Sequence, residues 1–100
     1  MIKDDLVKAS DEAQFTQQDV ATWLEYGFST VQNWMSGNHD PMPVKQHHIA
    51  KRLKLLRRVM QHEKGGLPVP PSITQYERKA YIEGIRDRAL KGIFEPGTAN

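Results

Sequence analysis

The fold is decided by residues 16 to 37, Thr16-Gln17-Gln18-Asp19-Val20-Ala21-Thr22-Trp23-Leu24-Glu25-Tyr26-Gly27-Phe28-Ser29-Thr30-Val31-Gln32-Asn33-Trp34-Met35-Ser36-Gly37. Thr16 is followed three positions later by an acid, which approximates a capping box and starts a helix. Val20, Ala21, Trp23 and Leu24 form one apolar face of that helix, and Glu25-Tyr26-Gly27 ends it. Gly27 is the residue here that can take positive φ, or serve as an N-cap, without steric cost. A further helix runs from Phe28 to Ser36, with Val31 and Trp34 turned inward, and Gly37 closes it in the usual C-terminal position. Two short helices joined by about three residues are predicted.

Working outward, Ile2, Leu6 and Ala9 lie at helical spacing and predict a first helix over residues 2 to 12. Residues 38 to 43 hold Pro41 and Pro43 and form a loop. From Val44 to about Lys64 no breaker occurs, and Ile49, Leu53, Leu56 and Met60 step along one face of a fourth helix that Gly65-Gly66 stops. Leu67-Pro68-Val69-Pro70-Pro71 is a stiff connector. Thr74-Gln75-Tyr76-Glu77 is a proper capping box, and the helix it starts ends at Gly92. The expected architecture is all-α: a four-helix domain over residues 1–64, a connector over 65–73, a C-terminal helix over 74–92 and a tail over 93–100.

A chain of 100 residues and 11.5 kDa fits one small domain and excludes a large cofactor-binding enzyme. Net charge is only +2, but its distribution is uneven. Residues 1 to 25 carry two lysines against six acids, residues 26 to 36 carry no charge, and residues 37 to 66 carry seven basic side chains against Asp40 and Glu63. A basic block on an otherwise near-neutral chain points to a polyanion. The absence of cysteine excludes disulfides and thiolate zinc sites. The opening MIKDDLVKASDE lacks the basic flank and apolar stretch of a signal peptide, and no apolar run approaches the roughly 18 to 20 residues that span a bilayer. A soluble protein that stays in the compartment where it is made, without membrane contact, is expected.

The stretch from Thr16 to Gly37 resembles the helix-turn-helix of the phage Cro and immunity-repressor family, the XRE-like regulators. That family has a small residue in the middle of the first motif helix, matched by Ala21, an apolar residue ten positions later, matched by Val31, another at Trp34, and a helix-ending glycine at Gly37. With Val20 and Leu24 these form the motif core. The Thr16-Gln17 opening, the proline in the following loop and the run Ile49, Ala50, Leu53 also fit. The resemblance spans roughly residues 2 to 60 and does not reach the last helix. Two positions depart from it: Glu25 stands where the family usually has glycine, and Met35 where it usually has an acid that pairs with a first-helix arginine, which is also missing here. The resemblance implies a lambda-repressor-like bundle that binds double-stranded DNA in a bacterial cytoplasm or phage host.

An α-helix about 10 to 12 Å across fits the major groove, where each base pair shows a distinct pattern of donors and acceptors. With Val31 and Trp34 inward, the opposite face shows Phe28, Ser29, Gln32, Asn33 and Ser36. The amides of Gln32 and Asn33 suit adenine, Ser29 suits phosphate or base, and Phe28 is divided between a thymine methyl and the core. Gln17 at the start of the second helix, with Asn38, His39, Lys45 and Gln46 after the reading helix, are the expected phosphate contacts. The acidic first helix is expected to lie away from DNA. The alternatives are a generic three-helix packing, or a helix-turn-helix used only for protein contacts. Trp23 sits at the edge of its face, suited to a helix junction or a subunit contact.

His39, His47, His48 and His62 do not have zinc-ligand spacing, and no nucleophile motif, phosphate loop or carboxylate pair suggests catalysis. No cofactor, metal or enzymatic activity is expected. In the last helix Tyr81, Ile82, Ile85, Ala89 and Leu90 make a wide apolar face. Dimerisation through Tyr81, Ile82, Ile85 and Ala89 is the expected use, and folding back onto the first and fourth helices is the alternative. A homodimeric repressor on an inverted-repeat operator is the expected function. Its rivals are an antitoxin or adaptor whose C-terminal helix binds a partner protein, and an accessory subunit of a DNA-processing complex.

Overall fold

Five helices account for the regular structure of the computed structural model, which describes residues 2–63 and 73–94; no strand occurs among them. They are α1 (Ile2–Ala13), α2 (Gln17–Leu24), α3 (Phe28–Ser36), α4 (Pro43–Glu63) and α5 (Gln75–Leu90). Most of the expected connector, and the tail after Phe94, lie outside the described residues. Among the described residues no helix is long and apolar enough to cross a membrane.

Three of the helix ends have a clear local cause. Thr16 caps α2 as a full capping box: its hydroxyl accepts from the Asp19 amide at 3.1 Å, and the Thr16 amide donates to the Asp19 carboxylate at 3.0 Å. Thr74 and Glu77 repeat the device at α5, and those bonds hold the exposed Glu77 carboxyl below its ordinary range. Gly37 ends α3 at φ +82°, where a side chain would be strained and would also crowd the Lys3 stem at 3.3 Å.

The core is built from all five helices. Leu6, Ala9 and Ala13 of α1, Val20, Ala21, Trp23 and Leu24 of α2, and Val31, Trp34 and Met35 of α3 are buried together with Ile49, Leu53, Leu56 and Val59 of α4. Val59 joins the expected stripe, while Met60 is only half-buried. Trp23 is core rather than edge: its indole Nε1 donates to the Arg52 carbonyl at 2.9 Å, so the one polar atom of the ring is satisfied where it is buried.

The expectation for the last helix is corrected. Ile82, Ile85 and Ala89 are 0%, 8% and 3% exposed within a single chain, because α5 lies against α2 and α4. Most of the apolar face assigned to a subunit contact is therefore covered by the same chain: of the four residues named for it only Tyr81 reaches the surface, and Leu90 at its end is exposed. The α5 helix is part of the domain, not an appendage to it. The chain after it also turns back, with the Phe94 ring stacked on His62 at 5.4 Å and the Arg58 guanidinium 4.5 Å from the centre of the same ring.

Candidate nucleic-acid interface

The second helix is held at both ends by arginines from elsewhere in the chain. At its start Asp19 is fully buried, and its carboxylate accepts from Thr16, from Gln75 at 3.2 Å and from the Arg78 guanidinium, whose Nε lies 3.1 Å from Oδ2. Burial alone would raise the Asp19 carboxyl; the Arg78, Thr16 and Gln75 bonds outweigh it and hold the group below 3.8. At the other end, helix carbonyls that lack an intrahelical donor are met by side chains. Arg52 of α4 donates to the Trp23 carbonyl at 2.9 Å, and Arg86 of α5 donates to the Thr22 carbonyl at 2.8 Å. Cations at that end also complement the helix dipole.

The same two arginines explain the turn. Glu25, not Gly27, is the left-handed residue, with φ +64° and ψ +40°. Its carboxylate accepts from Arg52 at 2.6 Å and lies 3.9 Å from Arg86. Gly27 has φ −63° and acts as the N-cap of α3, so the permissive glycine expected there is not needed for positive φ. Tyr26 fills the bend, edge-on to Trp34 at 5.0 Å and to His48 at 5.6 Å.

This turn sets the rotation of α3. Val31, Trp34 and Met35 face the core, and the apolar Met35 is consistent with its burial where an unpaired acid would be costly. On the other side Ser29, Gln32 and Ser36 are exposed, Asn33 is half-buried, and Phe28 is 39% exposed at the margin. These five positions share one face, as their spacing predicts. Thr30 is also exposed and had no sequence signal to separate it from the face residues. No charged side chain lies on α3.

Around this face the expected phosphate contacts divide. Gln17, at the first position of α2, and Asn38 and His39, just beyond Gly37, are exposed. Lys45 is exposed, its ammonium 5.7 Å from the centre of the Tyr26 ring, which ties it to the turn. Gln46 is different: its Nε2 donates to the Pro41 carbonyl at 2.7 Å, so that amide steadies the proline loop instead of offering its donor outward. The first helix is also nearer than expected. Lys3 lies along Gly37, at the C-terminal end of α3, because α1 packs against α3. Of the basic block, Lys51, Lys54, Arg57 and Arg58 are exposed, and Arg52 is turned inward.

On the N-terminal side of α3 a cleft of about 380 Å³ opens between α2, the turn and α5, with Gln18, Phe28, Lys79, Glu83 and Arg86 on its walls. Among the described residues no group of three or more His, Asp or Glu side chains converges as a metal site. Compared with known proteins, the chain matches no family model, no curated protein and no solved structure.

Proposed function

We propose that α2 and α3 form a DNA-reading helix-turn-helix of the Cro and immunity-repressor kind within a lambda-repressor-like bundle, and that the protein is a sequence-specific regulator of transcription, a repressor that occludes its promoter. One observation carries this reading: α3 presents an uncharged face of Phe28, Ser29, Gln32, Asn33 and Ser36 to solvent while its opposite face is locked into the core by Val31, Trp34 and Met35. A rigidly held helix with side-chain amides and hydroxyls outward suits base edges in a major groove. Gln17, Asn38, His39 and Lys45 surround it as phosphate contacts that set register.

One chain offers one reading helix and therefore a half-site. Pairing of two copies places two such helices about 34 Å apart on an inverted repeat. That pairing uses a surface other than Ile82, Ile85 and Ala89, which the chain buries against itself. Ile82, Ile85 and Ala89 are likewise unavailable to a partner protein in the folded chain, which leaves Tyr81 and Leu90 as the exposed part of that face.

Selection of bound duplexes from a random pool tests the reading directly. A symmetric site with half-sites about one turn apart is expected, and Gln32→Ala with Asn33→Ala should lower the preference for it over random DNA by about 1 to 3 kcal/mol for each bidentate amide–adenine pair removed. Undiminished discrimination by both variants would remove α3 as the reader.

A further inference from the structure

The resemblance that motivates a DNA-binding reading ends before α5, yet α5 forms one wall of the cleft at the start of the reading helix. Its cations have different fates. Arg78 is engaged by buried Asp19, and Arg86 by the Thr22 carbonyl, Asp87 and Glu25. Lys79, next to Arg78 in sequence, is exposed and has no ion pair among the described residues. It stands on the cleft wall opposite Gln18 and Phe28, the residues that border the exposed N-terminal ends of α2 and α3. The bonds from Arg78 and Arg86 fix where it stands, since they pin α5 on either side of Lys79 to the helix that precedes the turn.

We propose that α5 is a second DNA-contacting element, and that Lys79 binds a backbone phosphate beside the N-terminal end of α3. Three features support a phosphate as its partner. An ammonium on a flexible stem is a strongly hydrated point charge suited to a phosphate oxygen. The reading helix itself is uncharged, so attraction to the duplex must come from neighbouring elements. The acid on the same wall is Glu83, half-buried one turn further along α5 and forming no ion pair with Lys79, whereas Glu25 is already neutralised by Arg52 and Arg86. The inference rests on the DNA-binding reading and extends it to a part of the chain outside the motif.

The test compares three variants of the full chain, Lys79→Ala, Lys91→Ala and Glu83→Gln, by titration of a labelled selected duplex and a labelled random duplex across a salt series. Lys91 is twelve residues along from Lys79, about 18 Å away if the helical rise is continued, and its removal changes net charge equally. Lys79→Ala should weaken binding to both duplexes several-fold and reduce the salt slope by about 0.9, the value for one phosphate. Lys91→Ala should leave the slope unchanged, and Glu83→Gln should tighten both duplexes alike. If Lys79→Ala and Lys91→Ala behave the same, the α5 contact is wrong while the reading by α3 stands. If the unaltered protein binds neither duplex, both fall.

Discussion

Glu25 occupies a left-handed conformation that ordinarily costs a residue with a Cβ about 1 to 2 kcal/mol. Its compensation is the pair of arginines at its carboxylate, but the side chain is 46% exposed, so those ion pairs are screened and contribute at most about 1 kcal/mol. Glu25→Gly should thus leave stability within about 1 kcal/mol of the parent, because relief of the backbone offsets removal of the ion pairs. Glu25→Ala retains the backbone cost without the pairs, so it should be the less stable variant by about 1 kcal/mol in urea unfolding. A glycine variant less stable than the alanine one would contradict this account. Asp19 makes a second prediction at the same scale. Its carboxyl is held below 3.8 in the fold, so the ionised form favours folding; that contribution is present above 3.8 and is lost as pH falls through the lowered folded value. Asp19→Asn should be less stable than the parent at neutral pH and should lose less stability on acidification below about pH 4. Thermal unfolding between pH 2 and 7 measures both, and parallel curves would exclude Asp19 as the acid-sensitive group.

At the scale of the element, α5 decides how α2 is seated. Its apolar residues enter the core, and its arginines reach both ends of α2 across 59 and 64 residues of sequence. Ile82 is fully buried, so Ile82→Ala should cost about 2 to 5 kcal/mol of stability in urea unfolding. Sedimentation should show no change in the association state of the folded variant. The reverse result, unchanged stability with altered association, would return this face to a subunit interface. The amphipathic pattern of α5 was plain in the sequence, as was its capping box. What covers the pattern was not, because a helix face records that it needs burial and not which surface supplies it.

For the whole molecule, the reading face and the charge around it come from different elements. The exposed set Ser29, Gln32 and Ser36 was legible because Val31 and Trp34 fix the inward side of a nine-residue helix by period alone. The surroundings were less so: Gln46 turned to the loop, Lys3 came to the end of α3, and Lys79 entered the cleft at its start. The last two bring together elements distant in sequence, where local pattern carries no information, and the first depends on the path of a proline loop.

The sequence by itself determined which segments are helical and several of their limits, because capping boxes at Thr16 and Thr74, the prolines of the loop and Gly37 act within a few residues. It also determined which side of α3 is apolar. Only the tertiary structure decided that α5 belongs to the domain, that Glu25 and not Gly27 takes positive φ, and that buried Asp19 has a guanidinium partner. The reason is physical: a buried charge is tolerated only where a distant group is brought to it by packing, as Arg78 is to Asp19, and the left-handed Glu25 is met in the same way by Arg52 and Arg86.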